Sequence, residues 1–105
     1  MRLLTRQEEL VLLAVFQLKG STFLIRIREY LIEQTGKDWS ISSVYVPLSR
    51  LTREGCLKEI IGQPTAKRGG KAVKYYALTE DGYEVLRELD ELNQVMWKGL
   101  LPEVQ

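Results

Sequence analysis

SISSVYVPLSRLTREGCLKEIIGQPTAKRGGKAVKYYALT, running from Ser40 to Thr79, decides how this chain folds. Ser40 or Ser42 can accept from the free N–H groups of a helix start. Gly55 stops that helix one residue beyond Glu54. At about 100° per residue, Val44, Leu48 and Leu51 share a narrow arc and must face a core. Ser42, Val46, Ser49 and Arg53 then lie opposite, with Tyr45 and Arg50 on the flanks. Pro47 removes one helical hydrogen bond near the first turn, which predicts a slight bend. After Gly55, Leu57–Ile61 and Val73–Leu78 are rich in β-branched and aromatic residues and predict two strands. The polar loop between them holds Pro64 and Gly69-Gly70, suited to a hairpin tip. A helix followed by such a ribbon predicts a winged helix-turn-helix, an α+β fold that is mostly α.

The flanking segments supply the rest of that architecture. Thr5 followed by Glu8 is a capping-box pattern, predicting a helix over 6–18 with Leu10, Leu13, Ala14 and Val15 toward the core, ended by Lys19-Gly20. Ser21 or Thr22 predicts the cap of a second helix over 22–35, with Phe23, Ile27, Tyr30 and Leu31 as its apolar stripe and Gly36 closing it. Trp39 falls in a short connection as a packing anchor. Thr79 followed by Gly82 opens a last helix, with Glu80 and Asp81 at the positive end of its dipole. We therefore divide the chain into a winged-helix unit, residues 1–78, and a C-terminal dimerisation helix, 79–105, packed on it.

The net charge of +1 conceals a strong polarity. Between residues 40 and 76, Arg50, Arg53, Lys58, Lys67, Arg68, Lys71 and Lys74 face only Glu54 and Glu59. From Ala77 onward the excess is acidic: Arg87 and Lys98 against Glu80, Asp81, Glu84, Glu88, Asp90, Glu91 and Glu103. One cationic end suits a polyanionic partner. At 105 residues the chain can bury about 65% of its unfolded surface as one globular unit. It has one cysteine and no histidine, so an internal disulfide and the usual Cys/His zinc site are excluded, and no nucleophile–base pair for an enzyme is visible. The apolar run Leu10–Leu18 follows Glu8 and Glu9, lacks a cleavage site and is too short to span a bilayer. A cytoplasmic protein without metal or cofactor is expected.

These features predict a surface for double-stranded DNA. Small side chains on the outer face of the third helix permit close approach to bases, which places Ser42, Ser43, Val46 and Ser49 near base edges. Tyr45, Arg50, Arg53, Lys67, Arg68, Lys71 and Lys74 are expected at phosphates. On the last helix Val85, Leu89, Leu92, Met96, Trp97 and Leu100 form an apolar stripe that predicts a homodimer interface, and Met96 and Trp97 could also line a slot for a small aromatic effector. The alternative is a winged-helix module that binds proteins and not nucleic acid.

LTRQEELVLLAV at the start, EQTGKDWSISSVY before the third helix, LSRLTREG at its end and GGKAVKYYALTEDG across the second strand carry a resemblance. The chain resembles the PadR family of bacterial transcriptional regulators over roughly residues 3–89. The resemblance implies a homodimeric winged-helix repressor whose third helix enters the major groove, a wing on the backbone or minor groove, and a C-terminal helix that builds the dimer. The chain looks like the short branch of that family, some members of which sense drugs and other aromatic compounds at the dimer interface. Three positions depart from the family pattern. Phe23-Leu24-Ile25 replaces an aromatic-glycine-aromatic start to the second helix, Pro47 is displaced by one residue from its usual place after the tyrosine, and Val73 stands where the wing often has arginine.

Overall fold

The structure, a computed structural model, describes residues 2–62 and 72–100. In order along the chain it contains α1 (Arg6–Leu18), β1 (Thr22–Phe23), α2 (Leu24–Thr35), α3 (Ile41–Arg53), β2 (Leu57–Ile61), β3 (Lys74–Leu78) and α4 (Glu80–Met96). The three strands form one antiparallel sheet in the order β1-β3-β2, with Thr22 opposite Tyr76 and Leu57 opposite Leu78. This is a winged helix.

Local chemistry sets most of the boundaries. Thr5 and Glu8 close the capping box of α1 in both directions, at 3.1 Å and 2.9 Å. Gly36, at φ +68°, supplies the left-handed residue that ends α2, its N–H bonding the Ile32 carbonyl. Ser40 caps α3 by accepting from the Ser43 amide, and Thr79 caps α4 by accepting from the Gly82 amide. Pro47 lies inside α3 and is buried, so its ring fills core volume where its missing N–H would have served the helix.

Two expectations need correction. The second helix does not begin at Thr22. Thr22 and Phe23 are extended and pair with Tyr76 and Tyr75, and α2 starts at Leu24 with no side-chain cap. The sheet's hydrogen bonds replace the cap that Ser21 or Thr22 was expected to give. The core face of α1 is also broader than a single stripe. Val11 and Leu12 are fully buried along with Ala14 and Val15, while Leu10 and Leu13 are only partly covered. The reason is position: α1 is packed by α2, α3, β3 and α4 at once.

Around α1 the core gathers Ile27 and Leu31 of α2, Val44, Leu48 and Leu51 of α3, Leu57, Tyr76, and Val85 and Leu89 of α4. Trp39 is buried between helices, its indole N–H donating to Thr35 Oγ1 at 3.0 Å while its carbonyl accepts from Arg28 Nε. Cys56 is buried as well, and burial pushes its thiol pKa up although the nearby Arg2 guanidinium pulls the other way. A thiol held neutral in this way is packing material and not a nucleophile.

Candidate nucleic-acid interface

Helix α3 turns Val44, Leu48 and Leu51 inward and leaves Ser42, Tyr45, Val46, Arg50 and Arg53 exposed, with Ser43 and Ser49 half-buried between the two faces. Val46 is 60% exposed, an uncovered apolar residue on the same face as Ser42, Arg50 and Arg53. Ser43 Oγ donates to the Ser40 carbonyl at 2.7 Å, so its proton is spent on the helix start and its lone pairs remain for an outside donor. Among the described residues Arg53 has no ion-pair partner.

Arg50 is held differently. Its Nε lies 3.2 Å from Glu8 Oε2 and 3.5 Å from Glu54 Oε1. Glu8 is buried, and its other oxygen accepts the Thr5 amide of the α1 capping box. Beside this clamp a cleft of about 340 Å³ runs between the start of α1 and the outer face of α3, lined by Thr5, Gln7, Ser42, Val46 and Arg50 among others. Its spacing from Thr5 marks Glu8 as a cap alone. Its second role had no local signal, because Glu8 and Arg50 sit on helices far apart in the chain.

The opposite flank of α3 meets the sheet. Tyr45 shares a cleft of about 320 Å³ with Phe23, Ile25, Lys74 and Tyr75. The helix face and the base of the β2–β3 ribbon therefore lie side by side. Lys74 is half-exposed and 3.8 Å from Glu59 across the ribbon. Tyr76 lies beneath, and burial raises its phenol pKa, with Glu59 and Tyr45 adding to the shift. Lys67, Arg68 and Lys71, the three cations expected at the ribbon's tip, lie outside the described residues.

At the far end of α4 the expected apolar stripe divides into two. Val85 and Leu89 are 4% and 5% exposed within a single chain, so they belong to its own core and are not free for a second copy. Leu92 is half-buried, whereas Val95, Met96, Trp97 and Leu100 stand in solvent. Asn93 Nδ2 donates to Glu9 Oε2 at 3.2 Å and marks where α4 leaves α1. Among the described residues no cluster of His, Cys, Asp or Glu could hold a metal, and no helix is long and apolar enough to cross a membrane.

The sequence matches the model of the transcriptional regulator PadR-like family over residues 12–88. Comparison with curated proteins finds no match. Among solved structures, the chain is similar to a PadR family transcriptional regulator from Eggerthella lenta, with 26% identity, 90% of this chain and 80% of that one covered, and a TM-score of 0.73. It is also similar to a PadR-like transcriptional regulator from Bacillus cereus (20% identity, 89% and 85% covered, TM-score 0.71). The same fold occurs in F93 from STIV, a winged-helix DNA-binding protein (17% identity, 93% and 98% covered, TM-score 0.72).

Proposed function

The chain belongs to the PadR-like family and is a DNA-binding transcriptional regulator, and from that premise we propose that it is a homodimeric repressor that reads an inverted repeat. Each subunit lays α3 in a major groove, the two half-sites about 34 Å apart. The observation that carries this reading is the outer face of α3: Ser42, Val46 and Arg53 exposed together, with no acidic side chain among them. Val46 meets a thymine methyl, Ser42, Ser43 and Ser49 approach base edges, and Tyr45, Arg50, Arg53 and Lys74 hold phosphates. Lys67, Arg68 and Lys71 extend the phosphate contacts along the wing.

Selection of bound fragments from random duplex DNA tests this directly and should return a palindrome. With about six phosphates neutralised, the log–log salt dependence of affinity should have a slope on the order of −5. Replacing Arg68 and Lys71 by alanine should weaken binding to all sequences alike and flatten that slope by about 2. No enriched sequence, together with weak and salt-insensitive binding, would favour a protein-binding winged helix.

A small aromatic effector fits the same assembly. Trp97 and Met96 are both exposed on one chain and would come together with their symmetry mates across the dimer. A flat molecule stacked there regulates DNA binding only if its affinity differs between two subunit arrangements. Quenching of Trp97 fluorescence by planar aromatic compounds, accompanied by release of DNA, is the expected result. No response across a broad panel would leave Trp97 as dimer packing alone.

A further inference from the structure

We propose that Glu8, a residue of α1 and not of the recognition helix, is a positioning residue for DNA recognition, acting through Arg50. This rests on the reading of α3 as the helix that enters the groove. The carboxylate is divided between two tasks. Oε1 accepts the Thr5 amide at 2.9 Å and fixes the carboxylate to the first turn of α1, while Oε2 lies 3.2 Å from Arg50 Nε. The Glu8 side chain is 9% exposed and that of Arg50 55%, so a buried, immobile anion holds the inner edge of a guanidinium whose outer part reaches solvent.

Guanidinium is planar and presents its N–H groups as a rigid fork. The Glu8 carboxylate, in ion-pair range of Nε, draws that edge of the fork toward α1 and leaves the Nη edge toward an acceptor outside the protein. An arginine free to rotate would satisfy any phosphate within reach, whereas one drawn toward a buried carboxylate on a neighbouring helix favours acceptors on its far side. Glu54, at 3.5 Å from the same Nε, is more exposed and is the C-cap of α3, so it moves with the helix and cannot set the helix relative to α1. Glu8 can do so, because its position is set by a different helix. Its expected contribution is therefore to the register in which α3 meets the bases, and through that register to selectivity, more than to raw attraction for DNA.

The test uses the full-length protein and the duplex recovered by selection, with random duplex for comparison. Glu8→Gln keeps a capping-box residue, so the fold should survive. Its affinity for the selected site should drop about tenfold, with little loss on random duplex. In an Arg50→Ala background the same change should do nothing further. Arg50→Lys needs no change at Glu8 and gives a second route. It should retain binding to random duplex and lose site preference, since an ammonium is a point charge without a fork. Additive effects of Glu8→Gln and Arg50→Ala would overturn the proposal, as would an unchanged site preference in Arg50→Lys. Equal tightening of Glu8→Gln on both duplexes would also overturn it, by showing that Glu8 acts only as a negative charge. If the unaltered protein binds no duplex at all, the parent reading fails and takes this one with it.

Discussion

A Trp97→Glu, Leu100→Glu double variant should sediment as a monomer and bind a two-half-site duplex at least a hundredfold more weakly than the parent protein. Trp97 and Leu100 are 58% and 62% exposed on one chain, beside the still more exposed Val95 and Met96. Four large apolar side chains within six positions are rare on a monomer surface without a partner. A tryptophan alone can bury 150–250 Å² of surface, worth about 4–6 kcal/mol at 25 cal/mol per Å² as an upper bound, and symmetry doubles every contact. Two carboxylates placed there would face their mates across the axis in a desolvated site. The loss on DNA follows from linkage. When both reading heads belong to one particle, the second binds at an effective concentration near millimolar, an advantage of about 10²–10⁴ that separate monomers lack. Both positions lie beyond the part of α4 that packs on α1, so the circular dichroism of the variant should be unchanged. A variant that remains dimeric, or a monomer that binds the full site as tightly as before, would remove α4 from the assembly.

How much of this was legible in the sequence varies from element to element. Boundaries fixed by a cap could be read because the signal is local: Thr5 with Glu8, Gly36 after α2, Ser40 before α3, and Thr79 with Gly82 at α4. The inward arc of α3 was legible because one face alone is buried, which gives a clean period. β1 was not, since two residues have no period and their extended state is imposed by Tyr75 and Tyr76, fifty or so positions away. The stripe on α4 was visible as a stripe. Its division into a core half, Val85 and Leu89, and a solvent half, Met96 and Trp97, depends on where α4 runs past the first turn of α1, and periodicity carries no such information. The Arg50–Glu8 pair was hidden for the same reason: spacing along one helix predicts neighbours on that helix and is silent about the next.

Gly82→Ala should be the most damaging glycine-to-alanine change among the described residues, lowering stability by about 3 kcal/mol or more. Within a helix the exchange ordinarily stabilises by about 1 kcal/mol. Here a Cβ on Gly82 would overlap the Cys56 carbonyl oxygen and come within 2.8 Å of Leu78 Cδ2. The carbonyl cannot withdraw, because it belongs to the turn between α3 and β2 and already accepts the Thr79 amide at 3.2 Å. Thr79 Oγ1 in turn donates to the Gly55 carbonyl and accepts the Gly82 amide at 3.0 Å, so the cap of α4 is tied to that turn by two hydrogen bonds and to the helix by a third. To admit one methyl group, α4 must lift away and break them, and forced overpacking of this kind costs about 1–3 kcal/mol before any lost hydrogen bond is counted. For a domain of this size that corresponds to a fall in Tm of roughly 10–20 °C. Gly36→Ala is the control: nothing lies within 4 Å of its Cβ, and only its left-handed φ of +68° is penalised, by about 1–2 kcal/mol. A Gly82→Ala protein as stable as its parent would show that α4 does not dock where the structure has it. The same docking fixes the angle at which the exposed end of α4 leaves the body, and with it the separation of the two α3 helices across a dimer. A partly folded Gly82→Ala variant should therefore lose the palindrome's half-site spacing before it loses attraction for DNA.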